Sequence, residues 1–160
     1  MDEAAGLRAE QVEVHEALEA IGTALYRLNE ARDRLRTART LGTMDTWFGG
    51  GLFTSLVKRD EMDRADLSMR NVDLALATVR RELADVGVEA PLGGVDVPPL
   101  HRTLDVWFDN IISDLSTQGR IKSATGRVDA LGSLLTRVQS TLRRRERELA
   151  TRLAALEPEA

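Results

Sequence analysis

Apolar residues recur along the first quarter of the chain at Leu7, Val14, Leu18, Ile21, Leu25, Leu28 and Leu35, alternating steps of four and three, with Gln11, Arg32 and Arg39 at the remaining positions of the stripe. That period lies along one face of an α-helix and has the spacing of a coiled-coil seam. It predicts a helix over about residues 7–41, closed by Leu41-Gly42. A second stripe runs through Ala65, Met69, Val72, Leu76, Val79, Leu83 and Val86, and Gly87 offers a stop signal. It predicts a helix over about 52–86, joined to the first by a turn at 42–51 as an antiparallel hairpin. Residues 87–99 hold Gly87, Pro91, Gly93, Gly94, Pro98 and Pro99, which break helix and sheet alike and predict a loop. A third helical region is expected over about 100–156, with its later seam at Ala124, Val128, Leu131, Leu135, Val138, Leu142, Arg145, Leu149, Arg152 and Leu156.

The chain also repeats itself. Thr43, Asp45, Trp47 and Phe48 recur 60 residues later as Thr103, Asp105, Trp107 and Phe108. Leu52, Phe53, Thr54, Leu56, Met62 and Ala65 recur at an offset of 59 as Ile111, Ile112, Ser113, Leu115, Ile121 and Ala124, one glycine of Gly49-Gly50-Gly51 having no counterpart. From Ala124 to Leu142 the heptad register repeats at the same offset. A repeat of this kind reports how a fold was assembled. The expected fold class is therefore all-α: a long helical hairpin plus a third long helical region, in one domain of 160 residues.

Chain geometry constrains the third region. The second helix spans about 50 Å at 1.5 Å per residue, and the loop after it reaches at most about 45 Å. The third region should therefore start antiparallel to the second. If it stays straight, its basic end points away from the acidic start of the first helix, and those faces meet only between molecules, as in a two-fold homodimer. A bend near Gly119, where apolar spacing slips and Ser116 and Thr117 are poor helix formers, would bring them together within one chain. Gly126 and Gly132 interrupt the later helix, and close backbone approach to a neighbouring helix is the sharper explanation for them.

Composition narrows the classes of function. Net charge is −4, which disfavours a generally basic nucleic-acid binder. No cysteine is present, so disulfides and thiolate metal sites are excluded. The start is acidic where a signal peptide would be basic, and no apolar run approaches the roughly 20 residues of a membrane span. The expected location is cytoplasmic, with export without a cleavable signal as the alternative.

Few residues offer chemistry. His15 has Glu19 one turn on, but a solvated acidic helix face explains both, and His101 has no such neighbour. Asp60, Glu61 and Asp63 match no calcium-loop spacing, and Gly49-Gly50-Gly51 lacks the following Lys-Ser/Thr of a phosphate loop. No nucleophile is paired with a base, so no catalytic residue, metal or cofactor is assigned and the chain is read as a non-enzyme. The aromatic motif remains: Trp47, Phe48, Phe53, Trp107 and Phe108 include every Trp and Phe of the protein. They read first as a plug closing the end of a bundle, next as a protein-binding patch, and third as a wedge at a membrane surface. Charge is polarised too. Glu10, Glu13, Glu16 and Glu19 make the first helix acidic at its start; Arg137, Arg143, Arg144, Arg145, Arg147 and Arg152 make the third region basic at its end. Helix-to-helix pairing of these faces is expected ahead of nucleic-acid binding, since Glu146 and Glu148 interrupt the arginines and no aromatic is interleaved for stacking.

Asp-Thr-Trp-Phe-Gly-Gly-Gly-Leu-Phe at 45–53, followed by a long helix and a later Trp-Phe-Asp-Asn-Ile-Ile, resembles a set of uncharacterised bacterial helical proteins, a resemblance that implies no activity. Residues 7–86 are also similar to helical hairpins of the WXG type, small secreted proteins with Trp-x-Gly in the turn, here Trp47-Phe48-Gly49. Their Tyr-x-x-x-acid export signal follows the second helix, whereas Tyr26 and Glu30 precede the turn here. The expected function is a non-catalytic scaffold or adaptor working through coiled-coil and aromatic-patch contacts with a protein partner, as a homodimer. The alternatives are a WXG-like secreted hairpin and, third, membrane-surface binding through the Trp-Phe-Gly-Gly-Gly turn.

Overall fold

The computed structural model describes residues 3–44, 52–89, 102–107 and 118–156, with side chains over 3–41, 57–86, 102–107 and 119–156. Every described residue is helical. α1 spans Glu3–Met44, α2 Leu52–Glu89, α3 residues 102–107 and α4 Gln118–Leu156. The all-α class read from the periodicity is what the chain adopts. Gly87 does not end α2, which continues to Glu89. Glycine tolerates a helix at a modest cost, and a stop requires the chain to leave helical geometry after it.

α1 is the central element and packs against both α2 and α4, while α2 and α4 make no close backbone approach to each other among the described residues. Directions follow from charged pairs. Arg34 reaches Glu61 and Glu16 acts on Arg81, so α2 runs antiparallel to α1. Arg32 meets Asp129 and His15 meets Glu146, so α4 is antiparallel to α1 as well. Serving two neighbours changes which residues α1 buries. Leu7, Val14, Ile21, Leu28 and Leu35 are buried as expected, but the second buried row is Ala17, Ala24, Ala31 and Ala38. Leu18 and Leu25, the expected row, are only partly buried, and Arg32 forms a half-exposed ion pair. Alanine carries no long side chain, so this row takes up little space against the neighbouring helices; Glu3 and Glu10, which continue it toward the start of α1, reach Arg152 and Arg145 of α4. Pattern-reading by size favours leucine, whereas the fully covered row here is alanine.

On the flanking helices most buried positions are the expected ones, although Ala75 is buried beside the seam and Leu156, the last expected seam position, is exposed. Ala65, Met69, Val72, Leu76, Val79 and Leu83 of α2 are buried, and so is the residue 59 further on in each case, from Ala124 to Leu142. The third region is not one rod. Asp105 lies by Arg80 and Trp107 by Asp73, so α3 descends antiparallel to α2. α4 then runs the opposite way, parallel to α2, so the chain reverses between 107 and 118. This reversal falls before Gly119, which sits in the first turn of α4. Among the described residues nothing lies within 4 Å of a Cβ added at Gly126 or Gly132, so no close approach between described helices requires them.

Candidate interaction surface

Of the five aromatic residues singled out by the repeat, Trp107 is the one whose surroundings are described. Trp47, Phe48 and Phe108 lie outside the described residues, and Phe53 lies in α2 with its side chain outside them. Trp107 is buried, as is Leu104 one turn before it, and both join the hydrophobic core of the described residues. The pair makes α3 amphipathic despite its six residues. The indole Nε1–H, a donor with no acceptor capacity, donates to Asp73 Oδ1 of α2 at 2.6 Å. Arg80 and Asp105 add a surface ion pair at 3.2 Å, half exposed on both sides and worth little by itself. Burial pushes the Asp73 carboxyl above its ordinary range, and the Trp107 hydrogen bond opposes that rise without cancelling it. Trp107 thus keys the short helix onto α2 through one apolar body and one polar tip.

The charged faces meet inside one molecule. Arg145 Nε donates to Glu10 at 2.6 Å, with both side chains largely covered, and Arg145 also reaches Glu148 at 3.5 Å. The Glu10 hydrogen bond chiefly holds the Arg145 guanidinium in its charged form. Arg152 lies 3.1 Å from Glu3, and His15 stands 3.7 Å from Glu19 and 3.3 Å from Glu146. Arg144 approaches Glu148 at 4.0 Å. Glu16, Arg143 and Arg147 are exposed, and Glu13 is half-buried. The pairing therefore needs no second molecule. The physical reason is the reversal ahead of α4: the third region is broken rather than straight, so its basic end returns to the start of α1. Among the described residues no three His, Asp or Glu converge as metal ligands would. No described helix is long and apolar enough to cross a membrane.

No family model, no curated protein and no solved structure matches this chain.

Sequence reading passed over Asp73, because it sits beside the seam as an ordinary solvent-side carboxylate and its partner is 34 residues away. The Arg32–Asp129 pair at 2.6 Å is hidden too, since the four-three spacing puts Arg32 at a seam position. A buried tryptophan needs an acceptor for its N–H. That requirement was the available signal, and it points to a polar residue on whichever helix receives Trp107.

Proposed function

We propose that the protein is a non-catalytic helical scaffold or adaptor, a duplicated unit in which an aromatic junction precedes each of two long helices that lay their apolar stripes on a shared central helix. The duplication is supported by the buried positions of α2 and α4, which coincide at the 59-residue offset along both helices. The coiled-coil reading is supported by the three- and four-residue steps of those positions on all three long helices. The observation that carries the functional reading is the seat of Trp107. A tryptophan on a short helix, buried and hydrogen-bonded to Asp73 of α2, supports reading an aromatic junction as a key that docks one helical element on another. Trp47 carries the same motif at the other junction. In this reading it is the contact offered to a protein partner.

The test is affinity capture from the native organism with the intact chain and with Trp47→Ala, each checked for helical content by circular dichroism. Capture of a defined protein at constant stoichiometry, lost in the folded Trp47→Ala variant, supports the reading. If the intact chain neither captures a protein nor associates with itself, the scaffold reading is overturned.

A further inference from the structure

Two large leucines of α2 face outward. Leu67 and Leu74 follow the buried Ala65 and Val72 by two residues, about 200° around the helix, and they are 60% and 71% exposed. Seven residues before and after them the same row carries Asp60 and Arg81, both exposed. The row thus reads acid, leucine, leucine, base at seven-residue steps, a spacing that keeps it in line along one face. Packing on α1 needs none of these four side chains. At the 59-residue offset, where the buried seam recurs on α4, the outer row reads Gly119, Gly126, Ser133 and Ser140. The two leucines therefore serve a contact other than the packing on α1.

We propose that this row is a dimer seam, occupied by the same row of a second copy running antiparallel. The inference goes beyond the scaffold reading and does not use the aromatic junctions. The order of the four residues selects the occupant. A two-fold axis passing between Arg70 and Asn71 sets Leu67 against Leu74 of the copy and Asp60 against Arg81 of the copy, and symmetry repeats both contacts. Two leucine pairs then form the centre, with an ion pair at each end. Val57, 51% exposed, falls opposite the exposed Ala84 at the same spacing. A parallel pairing would set Asp60 against Asp60 and Arg81 against Arg81, so the charges choose the antiparallel arrangement.

The chain already builds this device once. Glu3 and Glu10, seven apart on α1, meet Arg152 and Arg145, seven apart on the antiparallel α4. Within the single molecule Asp60 pairs with Arg64 one turn on and Arg81 with Glu82 beside it, both at the surface, where such pairs hold weakly. Neither end of the row is thereby closed to a second copy. Arg70 is exposed beside the axis, where its long side chain carries the charge out to the rim.

Sedimentation velocity across micromolar concentrations tests this, with every variant checked for helical content by circular dichroism. The intact chain should pass from 17.7 kDa to twice that mass and stop, because a two-fold contact closes on itself. Ala130→Ser, on the exposed side of α4, should behave like the parent. A chain with both Leu67→Ser and Leu74→Ser, which brings in the serine that α4 has at position 133, should raise the dissociation constant by about tenfold or more. Asp60→Arg and Arg81→Asp should each weaken pairing by setting like charges together. An equimolar mixture of those two should form 1:1 pairs more tightly than either alone, since each carries the charges that the other lacks, and a chain with both changes should pair like the parent. An intact chain that stays monomeric, a leucine variant that associates like the parent, or charge variants that fail to pair on mixing would each overturn the proposal. So would a monomeric chain that binds a different protein through this row. Capture through Trp47 is read separately, so loss of the dimer leaves the scaffold reading in place.

Discussion

Arg145 donates from Nε to Glu10 at 2.6 Å, joining residues 135 apart in sequence across the end of the α1–α4 packing. The contact is made where both side chains are mostly covered, at 25% and 12% exposure, so solvent screens it less than the surface pairs around it. Removing the arginine leaves a covered carboxylate without its donor. Arg145→Ala should lower stability by about 1–3 kcal/mol, whereas Arg144→Ala, whose pair is exposed, should change it by less than about 0.5 kcal/mol. Urea unfolding followed by circular dichroism separates the two. Equal effects would show that the Glu10 contact contributes no more than a surface pair.

Asp73 gives a pH dependence with a definite sign. Its carboxyl is held above the ordinary 3.8 mainly by burial, so the folded state binds the proton more tightly than the unfolded state does. Its contribution to stability is full below 3.8 and is lost as pH rises through the folded value. Asp73→Asn keeps an acceptor for Trp107 without burying a charge. The variant should match or exceed the parent at neutral pH, and its advantage should shrink as pH falls toward 3.8. Asp73→Ala orphans the indole N–H and should cost about 1–3 kcal/mol. Unfolding curves of the three proteins at neutral and acid pH decide this, and an Asn variant clearly weaker than the parent at neutral pH would contradict it.

Trp107→Ala removes the largest side chain described in the core. It should cost about 3–5 kcal/mol and release α3 from α2. Hydrogen exchange should then rise at 102–107 well before it rises in α1. Unchanged protection there would mean that α3 is held by something other than its tryptophan.

The alanine row of α1 can be tested against the leucine row expected from pattern alone. Ala31 is fully buried, so Ala31→Leu should overpack the core around it and cost about 1–3 kcal/mol. Arg32→Leu, one residue on at the half-exposed rim, should cost less. The opposite order would restore the leucine-row seam.

Gly22 and Gly126 lie inside helices with nothing within 4 Å of an added Cβ. Gly22→Ala and Gly126→Ala should each stabilise the fold by about 0.5–1 kcal/mol. A higher thermal midpoint for both is the expected result; a lower one would indicate a close approach at that position.

The sequence alone determined the helical class and the stripes of α2 and α4, because helical periodicity is local: Val72, Leu76 and Val79 declare a buried face within two turns. It also marked Trp107, Glu10 and Arg145 as residues needing partners. Only the tertiary structure decided which partners they took. Asp73 meets Trp107 because α3 returns along α2, and Arg145 meets Glu10 because the chain reverses between 107 and 118; a reversal leaves little trace in periodicity. The alanine row of α1 was hidden for a related reason. Apolar size predicts burial only when one neighbour is assumed, and α1 has two. With α2 and α4 both packed on α1, Ala17, Ala24, Ala31 and Ala38 are buried, while the larger Leu18 and Leu25 beside them are only partly so.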